Sequence, residues 1–141
     1  MFKFVIAVDG SEFSDRAIQA AARLTKAGPE VEAVIVNVRD DPRALGSDDR
    51  ESLERFDQDQ RRRQDEVLLA ADKLARSAGL KVVLRAAMGL PASEIVRAAE
   101  DTKADAIAMG VRGMGPSGGP LIGPVTHRVL HQANVPVLLS K

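Results

Sequence analysis

The stretch Gly110–Val125 carries the least ordinary chemistry in the chain, with six glycines and three prolines in sixteen positions. Glycine has no Cβ, so a loop of this composition leaves its backbone N–H groups uncovered. The run Ala106–Met109 before the loop is short and apolar, and Thr126–Ala133 after it has helical spacing. Bare N–H groups between a strand and a helix N-terminus commonly hold phosphate. The loop therefore predicts an anion site.

The charge distribution also favours an anion site in this loop. Lys plus Arg and Asp plus Glu both total 20, so the net charge is zero and gives no general attraction to nucleic acid or membranes. No Asp or Glu follows Asp105, and the last 36 residues hold Arg112, Arg128 and Lys141. The loop lies in this acid-free part. Chance segregation is the plain alternative, and the loop context favours the anion site.

Composition argues against several classes of protein. A length of 141 residues predicts one domain over residues 1–141, large enough to bury a core. The absence of cysteine excludes disulfides and thiolate metal sites. With no Trp, no Tyr and four Phe, the chain lacks stacking platforms for single-stranded nucleic acid. No apolar run approaches the ~20 residues of a membrane span, so we expect no membrane partner and a cytoplasmic location.

Apolar runs alternate with helical spacing along the whole chain. A long helix is predicted over Arg50–Ala78, closed by Gly79, and Pro91 suits the first position of the next helix. Strands are predicted at Phe2–Val8, Val31–Val38, Leu80–Ala87, Ala104–Met109 and Val135–Ser140. Strands alternating with helices predict an α/β fold, a five-stranded parallel sheet with helices on both faces.

Ligands of such sheets bind beyond the carboxyl ends of the strands. Asp9, Val38 and the loop from Gly110 each follow a predicted strand end. The apolar periodicity of the long helix is interrupted at Gln60–Gln64. We therefore expect the first half of this helix to be a solvated overhang or a surface that contacts a partner. The basic triplet Arg61–Arg63 lies among acidic residues, which favours a solvated helical face over a nucleic-acid patch.

Other motifs in the sequence give weaker indications of function. Gly113-x-Gly115-x-x-Gly118 has the letters of a dinucleotide fingerprint but follows the fourth strand and has no acidic residue beyond it, so we reject that function. A Walker A loop needs a lysine that is absent here. His127 and His131 lie four apart, a spacing that could bind metal. No acidic or sulfur ligand is near them in sequence, so no metal site is predicted.

The spacing Gly110-x2-Gly113-x9-Gly123 resembles the nucleotide loop of the universal stress protein family. Further stretches resemble that family in the same order along nearly the whole chain, namely Ile6–Ser11, Gly89–Ile95, Ala104–Gly110, Val125–Leu130 and Val135–Leu138. The resemblance implies a Rossmann-like sheet of the adenine nucleotide alpha hydrolase-like type, often dimeric. It also implies a ligand, ATP or a related adenine nucleotide such as AMP or ADP, accompanied by Mg²⁺.

The resemblance also assigns site residues by position. Asp9 and Val38 would flank the adenine and ribose, although Asp9 could equally cap a turn. The sugar and first phosphates would meet Met109, Gly110, Arg112 and Gly113. The outer phosphates would meet Gly123, Val125 and Thr126.

Two departures from the family pattern affect the phosphate end. ATP-binding members have Ser or Thr after the last glycine, where this chain has Pro124, so a hydroxyl and a backbone N–H are lost. Each would donate a bond worth about 1.5–3 kcal/mol, and losing both would weaken binding by roughly a hundredfold or more. Pro116–Pro120 stands where the family often carries basic residues. Thr126 remains as a source of a hydroxyl.

Three functions stay open. The first is a nucleotide-binding regulatory module. The second is a nucleotide-free homodimer that acts through protein contacts and pairs through its C-terminal strand, because Val137–Leu139 is apolar and an uncovered edge invites pairing. The third is slow ATP hydrolysis or self-phosphorylation with Thr126 as acceptor. The sequence offers no clear general base, so no catalytic residue is predicted.

Overall fold

The computed structural model describes residues 1–26, 28–46, 48–113 and 122–141. Strands and helices alternate as predicted, with boundaries within two residues of those expected. The elements are β1 (Phe2–Ala7), α1 (Glu12–Lys26), β2 (Val31–Arg39), a 3-10 helix (Pro42–Leu45), α2 (Arg50–Ser77), β3 (Lys81–Met88), α3 (Pro91–Thr102), β4 (Ala106–Gly110), α4 (Pro124–Gln132) and β5 (Val137–Ser140). The 3-10 helix was not predicted.

All five strands form one parallel sheet in the order β3-β2-β1-β4-β5, which confirms the predicted fold class. The chain first builds outward from β1 through β2 to β3. It then crosses back to place β4 on the other side of β1, where Ile6 lies between Ile35 and Ala108. The strand order therefore reverses at β1, and a crevice opens at such a switch point in open α/β sheets.

Helices cover both faces of the sheet. One core layer joins the sheet to α1 and α2, and the other joins it to α3 and α4. Even-numbered residues of β1 and odd-numbered residues of β2 face α1 and α2, because successive side chains of a strand alternate between faces. Every residue of β4 is buried, as expected for a central parallel strand. Within the described residues, no helix is both long and apolar enough to cross a membrane.

The helix ends carry ordinary capping signals, of which Gly79 and Pro91 are predicted above from the sequence. Ser11 Oγ accepts a hydrogen bond from the Ser14 N–H at 3.2 Å, which caps α1. Gly79 has a φ of +94° after the end of α2, a conformation that glycine adopts without strain. Pro91 and Pro124 occupy the first turns of α3 and α4.

The apolar periodicity of α2 is interrupted at Gln60–Gln64 for a different reason from the one predicted. Gln64 is only 5% exposed, and its Nε2 donates to the carbonyl oxygens of Asn37 at 2.8 Å and Ala87 at 2.9 Å. The expectation of a solvated overhang is therefore wrong at Gln64, where a polar side chain faces inward to bond the ends of β2 and β3. Arg61 and Arg62 are exposed and pair with acidic neighbours on their own helix, as expected of a solvated face.

Replacing Gln64 tests this inward bond. Gln64→Ala should lower the free energy of unfolding by about 1–3 kcal/mol, because it removes a buried hydrogen-bonding group. The matched control is Gln58→Ala on the exposed face of α2, with an expected change within about 0.5 kcal/mol. Urea denaturation followed by circular dichroism measures both, and equal midpoints for the two variants would contradict the assignment.

Candidate functional site

The ends of β1, β2 and β4 surround a crevice with a volume of about 160 Å³. Seven of the predicted site residues line it, namely Asp9, Val38, Met109, Gly110, Arg112, Gly113 and Thr126. Sequence reasoning missed several other lining residues, among them Ser14, Asn37, Pro91 and Ile95. Asn37 lies near the end of β2, and Pro91 and Ile95 belong to the family-like stretch Gly89–Ile95, so these were the signals that could have found them. The remaining predicted residues, Gly123 and Val125, lie at the start of α4.

The backbone of Val38 faces this crevice. The Val36 carbonyl accepts from the Val8 N–H at 2.9 Å, on the β1 side, whereas the Arg39 carbonyl accepts from the Gly89 N–H at 2.9 Å, on the β3 side. Because N–H and C=O groups alternate sides along a strand, those of Val38 point to the β1 side. β1 ends at Ala7, whose partner in the register is Val36, so Val38 lies two residues beyond the ladder.

The Asn37 side chain occupies the position where the ladder would continue. Its Nδ2 donates to the Val8 carbonyl at 2.7 Å. This carbonyl is the acceptor that a continued parallel ladder would offer to the Val38 N–H, and no backbone hydrogen bond forms between these two described residues. Gln64 Nε2 lies 3.2 Å from Asn37 Oδ1, which orients the amide. The amide pair thus leaves the Val38 N–H and C=O directed into the crevice.

Asp9 caps a turn, as one of its two predicted roles requires, and it also lines the crevice. Its Oδ1 accepts from the Ser11 N–H at 2.9 Å, and its own N–H donates to Ser14 Oγ at 3.4 Å, so it caps the turn before α1. Its Oδ2 lies directly against Gly113, where an added Cβ would overlap that oxygen. The carboxylate therefore lines the crevice between β1 and the loop after β4.

Gly110 allows α1 to approach β4 closely. A Cβ at this position would lie 2.5 Å from Phe13 Cβ and 2.9 Å from the Arg112 carbonyl oxygen. The Arg112 guanidinium carbon lies 4.7 Å from the centroid of the Phe13 ring, a cation–π contact that holds the cation beside the crevice. The role of Gly110 is therefore to let α1 pack closely on β4.

Gly123 also acts through close approach, so the expectation of an uncovered amide there is wrong. Its N–H donates to the Val111 carbonyl at 2.8 Å. A Cβ on Gly123 would lie 3.1 Å from Arg112 Cα, which is tighter than ordinary packing. Residues 114–121, including Gly115, Gly118 and the predicted Pro116–Pro120 departure, lie outside the described residues.

The start of α4 offers fewer donors than the sequence predicts. Pro124 has no N–H, and the His127 N–H bonds the Gly123 carbonyl at 2.9 Å. Thr126 is 3% exposed and its hydroxyl donates to the Gly110 carbonyl at 2.9 Å, so the hydroxyl expected for phosphate is already engaged. Helix geometry leaves the backbone N–H groups of Val125 and Thr126 without an intrahelical acceptor.

Charges around the crevice are mixed. Arg112 is the one cationic side chain among the described residues that line it, and Asp9 is the one anionic side chain among them. Glu12 and Asp15 follow in α1, and Glu12 pairs with Arg16 at 3.0 Å. Burial raises the pKa of Asp15, and the charges of Asp9 and Glu12 raise that pKa further. The α1 side of the crevice is therefore acidic.

The two histidines of α4 do not form a metal centre with other side chains of the described residues. The His127 and His131 rings lie 4.6 Å apart between centroids, edge to face, and both residues are exposed. No group of three or more His, Cys, Asp or Glu side chains able to hold a metal occurs in the described part of the chain. A Mg²⁺ ion at the crevice would depend on phosphate oxygens for most of its ligands.

Comparison with known proteins identifies relatives over the full length. A family profile described as "Universal stress protein family" matches residues 1–141. Universal stress protein MJ0531 of Methanocaldococcus jannaschii is 34% identical over 139 residues, covering 99% of this chain and 81% of the relative. The solved structure of the hypothetical protein MJ0577 has a TM-score of 0.86 and 27% identity, covering 99% of this chain and 94% of that one.

Two other solved structures contain nucleotides. One is a universal stress protein in complex with cAMP, with a TM-score of 0.66, covering 98% of this chain and 94% of that one. The other is the Archaeoglobus fulgidus protein in complex with dAMP, with a TM-score of 0.67, covering 100% and 98% respectively. Each is 24% identical to this chain, so their likeness shows the fold alone.

The glycine that ends β4, Gly110, and the one three residues later, Gly113, should respond differently to alanine. Gly110→Ala should lower the free energy of unfolding by about 1–3 kcal/mol, because its Cβ meets backbone and the Phe13 stem. Gly113→Ala should cost less, because its Cβ meets the end of a side chain that can turn aside. Urea denaturation measures both, and a larger loss for Gly113→Ala would overturn this distinction.

Proposed function

The chain belongs to the universal stress protein family, and we propose that its crevice binds an adenine nucleotide, which makes the protein a nucleotide-binding regulatory module of the stress response. The observation that carries the proposal is the Val38 backbone, whose N–H and C=O are directed into the crevice. The proposal places the module in the cytoplasm, where adenine nucleotides are abundant.

Val38 offers the pattern that the Watson–Crick edge of adenine requires. Adenine presents an N6 amino donor beside an N1 acceptor, so the Val38 carbonyl would accept from N6 and its N–H would donate to N1. Guanine presents the reverse pattern, an O6 acceptor beside an N1–H donor. A mismatched pair leaves buried groups unsatisfied at a cost of about 1–3 kcal/mol, or roughly ten- to a hundredfold in affinity.

The dimensions of the crevice suit a base. Its 160 Å³ is smaller than the range of about 300–1,000 Å³ for whole small-molecule pockets. The side chains of Ile95 and Met109 supply apolar walls beside Val38. In the proposal the base enters this slot, and the sugar and phosphate extend along the surface toward Gly113 and the start of α4.

The sugar and phosphate would meet the remaining predicted residues. The Asp9 carboxylate, which lies beside Gly113, would accept from a ribose hydroxyl. Arg112 and the backbone N–H groups of Val125 and Thr126 would contact phosphate oxygens. Within the Gly-x2-Gly-x9-Gly spacing, Gly110 and Gly123 would act by bringing segments together. The nucleotides in the structures of family members with the same fold support this proposal.

Calorimetry with adenine and guanine nucleotides tests the proposal. Adenine nucleotides should bind at least about tenfold more tightly than guanine nucleotides. Asn37→Ala should reduce that discrimination, because the Val8 carbonyl becomes available to the Val38 N–H. Asn134→Ala, at an exposed position after α4, is the matched control. No heat with any adenine nucleotide, together with no nucleotide released from freshly purified, denatured protein, would reject the function.

A second function, a homodimer that acts through protein contacts, has its own support. β5 lies at an edge of the sheet, and Leu138 on it is 38% exposed. Leu24 of α1 is 39% exposed and lies on the same surface. An edge strand flanked by exposed apolar side chains invites pairing with a second copy. We propose pairing through this edge, which is compatible with nucleotide binding.

Light scattering at micromolar concentration tests the pairing. The unaltered protein should have the mass of a dimer. Leu138→Lys should shift it to the monomer, because pairing would bury the added charge. Leu69→Lys is the matched control, since Leu69 is 64% exposed on α2 and should leave the mass unchanged. A monomeric mass for the unaltered protein would refute pairing through β5 and leave the nucleotide proposal standing.

A further inference from the structure

We propose that His127 and His131 of α4 together bind one divalent transition-metal ion through their imidazole nitrogens. Neither histidine is among the described residues that line the crevice, so this site is separate from the proposed nucleotide site. Neutral imidazole is a common protein ligand for Cu²⁺, Ni²⁺ and Zn²⁺, whereas Mg²⁺ and Ca²⁺ prefer oxygen ligands. The proposal therefore concerns ions of the first kind.

The helix brings the two rings together on its surface. α4 spans Pro124–Gln132, and residues four apart on a helix lie on the same face, about one turn from each other. Both histidines are exposed, so an ion reaches them from solvent without any opening of the fold. Within the part of the chain that the structure describes, the rings contact each other, and neither makes a hydrogen bond or an ion pair. No such contact in the described part therefore competes with a metal ion for the ring nitrogens.

The separation of the rings fits a shared ion. Their centroids lie 4.6 Å apart, with an angle of 63° between the ring planes. Two imidazoles on one ion, with metal–nitrogen bonds of about 2.0–2.1 Å and an angle of about 90–109° at the metal, have centroids about 4.4–5.3 Å apart. The observed separation lies within this range, near the end that corresponds to square-planar or octahedral coordination. The χ2 torsion of histidine is broad, so turning both rings toward one ion costs little.

The surroundings of the pair favour a transition metal over Mg²⁺. His131 lies in the last turn of α4, where the helix carbonyls carry a partial negative charge that attracts a cation. The chain has no Asp or Glu after Asp105, and the described residues contain no group of three or more His, Cys, Asp or Glu able to hold a metal. Water would fill the remaining positions on the ion. A pair of imidazoles without a carboxylate gives Mg²⁺ no ligand that it prefers.

One neighbouring charge opposes the ion. Arg128 is exposed and lies three residues before His131, so the two side chains are neighbours on the helix surface. A cation there repels a bound metal ion, and this repulsion lowers the affinity of the pair. Removing Arg128 should therefore preserve or strengthen metal binding, whereas removing either histidine should weaken it.

Calorimetric titration of the protein without a histidine tag tests the site, because the chain has two histidines and no cysteine. One Ni²⁺ should bind per chain, Cu²⁺ should bind more tightly than Ni²⁺, and Mg²⁺ should not compete with either. His127→Ala and His131→Ala should each weaken Ni²⁺ binding at least about tenfold, because only one imidazole remains. Unchanged Ni²⁺ affinity in either variant, or no heat with both Ni²⁺ and Cu²⁺, would overturn the proposal.

A variant that exchanges two neighbours separates chelation from the mere presence of histidine. His131→Gln combined with Gln132→His keeps the composition of α4 but turns one imidazole by roughly 100° around the helix axis. This variant should lose Ni²⁺ affinity at least about tenfold, whereas the matched control Arg128→Ala should lose none. Circular dichroism checks that both variants keep their helix content. An exchanged variant that binds Ni²⁺ as tightly as the unaltered protein would refute a site built on the spacing of the two histidines.

Discussion

The candidate site depends on one hydrogen bond, from the Asn37 side chain to the Val8 carbonyl at 2.7 Å. It stops the β1–β2 ladder where the strand order reverses, so that the Val38 backbone faces an open crevice. Gln64 of α2 supports the same amide from the other side. The hydrogen bonds of Gln64 to the ends of β2 and β3 thus help to form the site at which we propose that the base binds.

The glycines near the crevice act mainly by letting parts of the chain approach one another. Gly110 packs against Phe13, Gly113 against the Asp9 carboxylate, and Gly123 against Arg112. In each case a Cβ would meet atoms of another segment closer than ordinary contact. This packing draws α1, β4 and α4 together around the crevice and engages the Gly123 amide that a purely exposed loop would leave to a ligand.

The long helix α2 contacts both the core of the sheet and the strand ends beside the crevice. Its inner face packs on β2 and β3 through apolar side chains, and Gln64 reaches the strand ends beside the crevice. Its outer face carries paired charges such as Arg61 with Asp57.

The sequence by itself determined the alternation of strands and helices, the parallel sheet and most residues at the strand ends. Apolar periodicity, glycine turns and prolines are local signals, and they suffice to place Asp9, Val38 and the loop from Gly110 at one edge. Only the tertiary structure decided which polar groups remained available there. The engagement of the Gly123 amide by Val111, of the Thr126 hydroxyl by Gly110 and the inward turn of Gln64 are contacts between segments distant in sequence. No local pattern encodes such partners, because each depends on how helices and strands pack against one another.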